Sequence, residues 1–249
     1  MKKTILIVIF FSALLFGSTR GDVKIIEASE NIQYLSQKIA VDYLLLYNKE
    51  GDNLLKRRIE KNIERLESFA NEIWEMTKSD STKYYINYFK LDLKDIKAII
   101  NKKKSIANVN LILAYGEEFI EGSDAIIKEH QYKYTKEEKM LMLSKKAQYL
   151  FEYITSYYMA SKIGLSNDFN REKMYQAIAK IDKILREVNE YSYSKELKKR
   201  VEQICTIWTT NKAFFNNQDG LYIPHILLHS TQYSQDILEE IERYHKKNL

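Results

Sequence analysis

The stretch MYQAIAKIDKILREV, residues 174–188, decides the fold class. Its apolar residues Met174, Ile178, Ile181, Leu185 and Val188 are spaced four, three, four and three apart, the signature of a helix with one buried stripe. A second run, INYFKLDLKDIKAII at 86–100, repeats the pattern through Ile86, Phe89, Leu93, Ile96 and Ile100. Stripes of this width are what helices bury in bundles. Outward from these two runs, breaks fall at Gly51-Asp52, Ser79-Asp80-Ser81, Gly164 to Asp168, Ser192 to Ser194 and Asn216 to Gly220. Asp52, Ser81, Asp168 and Ser194 suit N-caps, Thr135 with Glu138 fits a capping box, and Pro224 suits the first turn of the last helix. The spacing predicts eight helices at about 24–49, 53–77, 82–104, 106–130, 136–163, 169–190, 195–216 and 223–246.

Composition agrees. The 249 residues include one proline, seven glycines and one cysteine, against usual shares of about 5% proline and 7% glycine. Strand-rich and Rossmann-type folds need more turn residues than this. With 45% hydrophobic residues the chain is too apolar to be disordered, and with Cys205 alone it has no internal disulfide. A formal charge of +5 is small for this length and gives no reason to expect nucleic acid as a partner.

The amino terminus reads as an address. Lys2 and Lys3 precede the continuous apolar run ILIVIFFSALLF at 5–16, and Gly17-Ser18-Thr19 follows. This is the pattern of a secretory signal peptide, expected at 1–21 and cleaved between Gly17 and Asp22; an uncleaved anchor is the alternative. The mature protein is expected in a bacterial periplasm.

The two halves of the remainder are similar. YLSQK at 34–38 corresponds to MLSKK at 142–146, which sets Ser36 against Ser144 at an offset of 108. Ile59, Ile63 and Leu66 correspond to Ile178, Asp182 and Leu185 at an offset of 119, the extra length being assigned to the loop around Gly164. The expected architecture is all-α: two tandem up-down four-helix bundles, at 22–132 and 133–249.

The segment ENIQYLSQKIAVDYL at 30–44, with a weaker copy KMLMLSKKA at 139–147, resembles the PilJ/NarX-type family, the periplasmic helical input domain of type IV pilus chemoreceptors and nitrate sensors. That resemblance implies a helical bundle, often in tandem, in which an arginine on the first helix binds nitrate or nitrite where two equivalent helices meet. A guanidinium suits a planar oxyanion because it offers paired hydrogen bonds and stays charged when partly buried. Here Gln33 and Leu141 stand at the arginine position, and Lys38 matches a basic one. Gln33, Ser36, Gln37 and Lys38 are therefore the candidate ligand residues, Gln33 donating from its amide and Lys38 supplying charge. Gln33 and Gln37 share a helix face, while Lys38 points about 100° away, so a second helix must supply the opposing wall. Without the resemblance, Ile32, Leu35, Ile39, Tyr43 and Leu46 form a core stripe, and the small and amide residues beside it form either a ligand seam or a close helix crossing.

Other chemistry is sparse. His225 and His229 are one helical turn apart, a usable ligand spacing, but no acidic or thiol partner completes a known pattern, so no metal site is expected. No haem attachment motif, di-iron Glu-x-x-His pair, phosphate loop or nucleophile elbow is present, and no cofactor is expected. Cys205 lies between Ile204 and Ile207 and reads as a buried structural thiol. The 19 tyrosines suit core edges and helix contacts, or a tyrosine-lined groove. The expected function is that of a non-enzymatic sensory or ligand-binding protein. It would bind a small anion, act singly or as a homodimer, and relay the event to a membrane histidine kinase or chemoreceptor. The alternative is a structural or assembly partner that has lost its ligand.

Overall fold

The computed structural model of the chain describes residues 20–49, 51–165, 167–216 and 223–249. Its helices are α1 (Arg20–Asn48), α2 (Asn53–Met76), α3 (Asp80–Ile99), α4 (Ile106–Glu129), α5 (Lys136–Ala160), α6 (Asp168–Glu190), α7 (Lys195–Asn216) and α8 (Pro224–Lys247), with a π-type turn at Ser161–Leu165. Among the described residues there is no strand, and no helix is long and apolar enough to cross a membrane. The expected leader at 1–21 lies outside the described residues except for its last two positions.

Local signals set most of the boundaries. Asp52 accepts from the N–H groups of Leu54 (3.0 Å) and Leu55 (3.1 Å), and Thr135 and Glu138 close the capping box. Two caps sit earlier than the sequence suggests. Ser79 reaches the Thr82 N–H at 3.1 Å and caps α3, and Asn167 reaches Asn170 at 2.8 Å and caps α6. Helix α3 also stops at Ile99 rather than continuing to 104, because Lys104 folds back to donate to the carbonyls of Ile100 (2.7 Å) and Lys102 (3.2 Å). Ser105 then caps α4 through Asn108.

Helix α1 packs against α2 and α4, and α3 closes the ring by touching the same two helices. Helices α5 to α8 form a second ring in the same order, and the two rings meet along α1 and α5. The single stripes of α2, α3 and α6 are buried as their spacing requires. The two central helices differ. On α5 every residue from Ala147 to Ala160 is buried, and on α1 the flanking Gln33, Ser36, Gln37 and Ala40 are as buried as the core stripe. One connected apolar core draws residues from both rings.

The internal repeat is present at a different register. Asp22 bonds His130 at 2.8 Å, and Glu137 bonds His245 at 2.6 Å; each member of the first pair precedes its counterpart by 115 residues. The same offset relates the caps Asp52 and Asn167, the buried Ile59, Ile63 and Leu66 with Met174, Ile178 and Ile181, and Ile126 with Ile241. It also aligns Gln33-Tyr34-Leu35 with the identical Gln148-Tyr149-Leu150. The pairing of Ser36 with Ser144 is therefore corrected. The counterpart of Ser144 is Ser29; their hydroxyls donate to the carbonyls four residues back, Met140 (2.9 Å) and Ile25 (2.8 Å). Ser36 lies seven residues further on, and seven residues return a helix to within about 20° of the same face, so the pattern matched out of register. The segment at 139–147 is thus equivalent to 24–32 and not a second copy of the motif at 30–44. The turn around Gly164 in the second half is therefore no longer than its counterpart around Gly51 in the first.

Gly116 shows how closely α1 and α4 approach. The Gln37 side-chain amide donates to the Gly116 carbonyl at 3.1 Å, and a Cβ at Gly116 would lie 2.9 Å from that amide nitrogen. Gly116→Ala displaces the amide and strands it in the core at about 1–3 kcal/mol, while helix propensity returns about 1 kcal/mol. Urea unfolding is expected to show a net loss in the native background. In a Gln37→Ala background the same change is expected to reverse sign and stabilise by about 1 kcal/mol.

Candidate functional site: a charged cleft between the halves

Helices buried this deeply must satisfy their polar groups internally, and on α1 and α5 this produces a charged seam. Lys145, 3% exposed, donates to Asn31 Oδ1 at 2.9 Å and pairs with Glu242 of α8 at 3.0 Å. Gln235 of α8 donates to the Gln148 carbonyl at 2.8 Å. Lys38 of α1 donates to the Tyr34 hydroxyl at 2.9 Å and stands 4.0 Å from Glu152 of α5. Asp42, one turn along α1, takes both arms of the Arg58 guanidinium from α2, and Asn62 adds a longer contact at 3.4 Å.

At the end of this seam α1, α2, α5 and α8 part to leave a cleft of about 370 Å³. Lys38, Asp42, Lys49, Asp52, Arg58 and Glu152 line it, with His225 and His229 of α8 opposite and Val41, Leu45, Leu55 and Leu228 between. Two of its three carboxylates are already committed, Asp42 to Arg58 and Asp52 to the N-terminus of α2. Burial pushes Glu152 up to about 7, only partly offset by Lys38. Burial pulls the Lys38 ammonium down, but Glu152 and Tyr34 together outweigh it and hold the group above its ordinary range. The cleft therefore keeps a charged lysine beside a carboxyl that ionises near neutrality. That combination offers positive charge and a hydrogen-bond donor to a small oxyanion.

The expected site residues divide. Gln33 is 1% exposed and its amide donates to Asp124 Oδ1 (2.8 Å) and the Ile120 carbonyl (3.3 Å) of α4. Gln37 bonds Gly116, and Ser36 donates to the Gln33 carbonyl at 2.8 Å. These three serve the crossing of α1 and α4. Lys38 alone opens on the cleft, on the other side of the helix, and the opposing wall comes from α5 and α8 of the second half. Leu141 is a core residue packed with Ile26 and Met142. His225 and His229 join Lys38 in the cleft, and among the described residues no three His, Cys, Asp or Glu side chains converge on a metal position. Cys205 is partly buried, and burial raises its thiol, which keeps it protonated. Asp42, Arg58 and Glu152 escaped the motif search. Asp42 and Glu152 carried a signal, each an ionisable residue inside a mostly apolar run, at 39–46 and 149–160, whereas Arg58 sits among other charged residues and carried none.

The chain matches no family model, no curated protein and no solved structure.

Glu152 also sets a pH dependence. Its folded value of about 7 lies above the ordinary 4.5, so between these values the folded chain holds a proton that the unfolded chain has released. Its contribution to stability therefore falls as pH rises through that window. Glu152→Gln is expected to leave the melting temperature nearly unchanged at about pH 5 and to stabilise the protein at about pH 8, by on the order of 3 kcal/mol at most. Calorimetric melting at the two pH values checks it.

Proposed function

We propose that this protein is a non-enzymatic sensory or ligand-binding protein that takes a small oxyanion into the cleft between its two halves. The observation that carries the reading is the convergence of Lys38, Glu152, His225 and His229, drawn from both halves, on one cavity beside the buried seam. A ligand bridging α1 and α8 would favour one packing of the halves over another, and such differential contact is what a sensor requires. Nitrate or nitrite is small enough to enter and would meet Lys38 as the cation and the protonated form of Glu152 as a donor. Two tandem up-down four-helix bundles of the PilJ/NarX type, exported to a periplasm behind a cleaved leader at 1–21, would suit relay to a membrane histidine kinase or chemoreceptor. The second reading, a structural or assembly partner, is favoured by Gln33, Ser36 and Gln37, whose polar groups are spent on packing.

A thermal-shift screen of small anions on the whole protein separates the two. The expected result is stabilisation by nitrate, nitrite or a similar oxyanion, with Lys38→Ala weakening affinity by about tenfold or more. Gln33→Ala is expected to lower stability by about 1–3 kcal/mol and leave affinity unchanged. Absence of any anion effect, or an affinity indifferent to both Lys38→Ala and His229→Ala, would put the structural reading first.

A further inference from the structure

A second concavity lies on the outer face of the first half, between α3 and α4, away from the seam. It encloses about 440 Å³, within the range of small-ligand sites. Tyr84, Tyr85 and Tyr88 come from successive turns of α3, and Glu118 and Glu121 from the facing turns of α4. Tyr84 and Tyr88 are 57% and 47% exposed, their rings tilted at 56° with centroids 4.8 Å apart and their hydroxyls joined at 3.2 Å. Asp92 stands at the inner end, only 6% exposed, and its Oδ2 is shut from solvent with no hydrogen-bond partner. The floor exists because of Gly122. A Cβ there would lie 2.6 Å from the Phe89 ring, so the absent side chain lets that ring rest on the α4 backbone.

The lining holds three carboxylates, three tyrosines and a phenylalanine, and no lysine or arginine. Two lysines of α3, Lys83 and Lys90, are drawn instead over Trp74 of α2, at 5.7 and 4.9 Å from its ring centre. A buried carboxylate whose only side-chain partner is another acid, Glu118, is costly unless a proton or a cation completes the pair. Burial, then the charges of Glu118 and Asp95 and a hydrogen bond with Glu118, push Asp92 up to about 7, so that the two acids share a proton where a cation would otherwise sit. Among the described residues no three ligands converge on a metal position, and aromatic faces favour a weakly hydrated organic cation over a hydrated inorganic one.

We propose that the face formed by Tyr84, Tyr88 and Asp92 of α3, closed by Glu118 and Glu121 of α4, binds a small alkylated ammonium ion. The methyl groups would lie against the tyrosine rings, whose negative faces attract the spread charge, and the carboxylates would neutralise it. The site is separate from the cleft between the halves, and its assignment stands whether or not that cleft binds an anion.

The test is calorimetric titration of the whole protein at about pH 8, where the carboxylates are ionised, with choline and with its neutral carbon isostere 3,3-dimethylbutan-1-ol. Choline is expected to bind, and the isostere to bind at least about tenfold more weakly because shape is kept and charge is lost. Asp92→Asn and Tyr88→Leu are each expected to weaken choline by about tenfold, with melting of the Tyr88→Leu protein unchanged because that ring is exposed. A trimethyllysine peptide binding more tightly than choline would place the ammonium on a protein partner, and the reverse on a free metabolite; either supports the site. Equal binding of choline and its isostere, no choline binding at millimolar concentration, or affinity untouched by both substitutions would overturn it.

Discussion

The contact between α1 and α5 is the constraint on which the rest of the molecule depends. Each is the first helix of its half, and each is enclosed by its own ring and by the other helix, which buries α5 on all sides from Ala147 to Ala160 and leaves α1 only a half-buried stripe through Glu27, Asn31, Tyr34 and Lys38. An enclosed helix may carry polar groups only where the surrounding helices answer them. The amides of Gln33 and Gln37 reach α4, Lys145 reaches Asn31 and Glu242, and Asp42 draws in Arg58 from α2. Each demand fixes a rotation or a register, so the polar groups of two helices position three of the others, α2, α4 and α8.

Cohesion and alignment come from different sources. The apolar core runs through both halves and supplies the driving force at about 25 cal/mol for each Å² of apolar surface removed from water. Ion pairs such as Lys145 with Glu242 add little by comparison, since desolvation cancels most of their attraction. Removing one partner is a different matter, because the other is left charged and enclosed. The seam therefore penalises mispacked arrangements of the halves more than it strengthens the correct one. The cleft opens where this seam ends, which gives it charged groups held in place by their neighbours.

Helix number and the single-stripe helices were legible because one buried face leaves a period in the sequence, as in Met174 to Val188. The caps at Asp52 and Thr135 were legible for a similarly local reason. The repeat was visible but misaligned: a helix returns to its own face every seven residues, and only the paired ends, Asp22 with His130 and Glu137 with His245, remove that ambiguity. At the candidate site Lys38 was picked out only because it matched a basic position of the family pattern that 30–44 resembles, and its separation from Gln33 followed from helical geometry. Glu152 and Arg58 could not be linked to it, because nothing local says that α5 lies across α1. The glutamines were misjudged for a related reason: an amide facing a ligand and an amide facing the carbonyl of Gly116 look the same in a string of letters.

The two histidine pairs also fix where α1 begins and where α8 ends. Asp22 to His130 ties the start of α1 to the end of α4, Glu137 to His245 ties the start of α5 to the end of α8, and Lys246 reaches Glu27 at 3.3 Å. The amino end of α1 and the carboxyl end of α8 therefore emerge side by side, at one pole of the molecule. Lys49, Asp52 and His225 lie at the opposite ends of their helices, so the mouth of the cleft faces the other pole. A partner docked on the pole where these two helix ends lie would leave the mouth of the cavity uncovered.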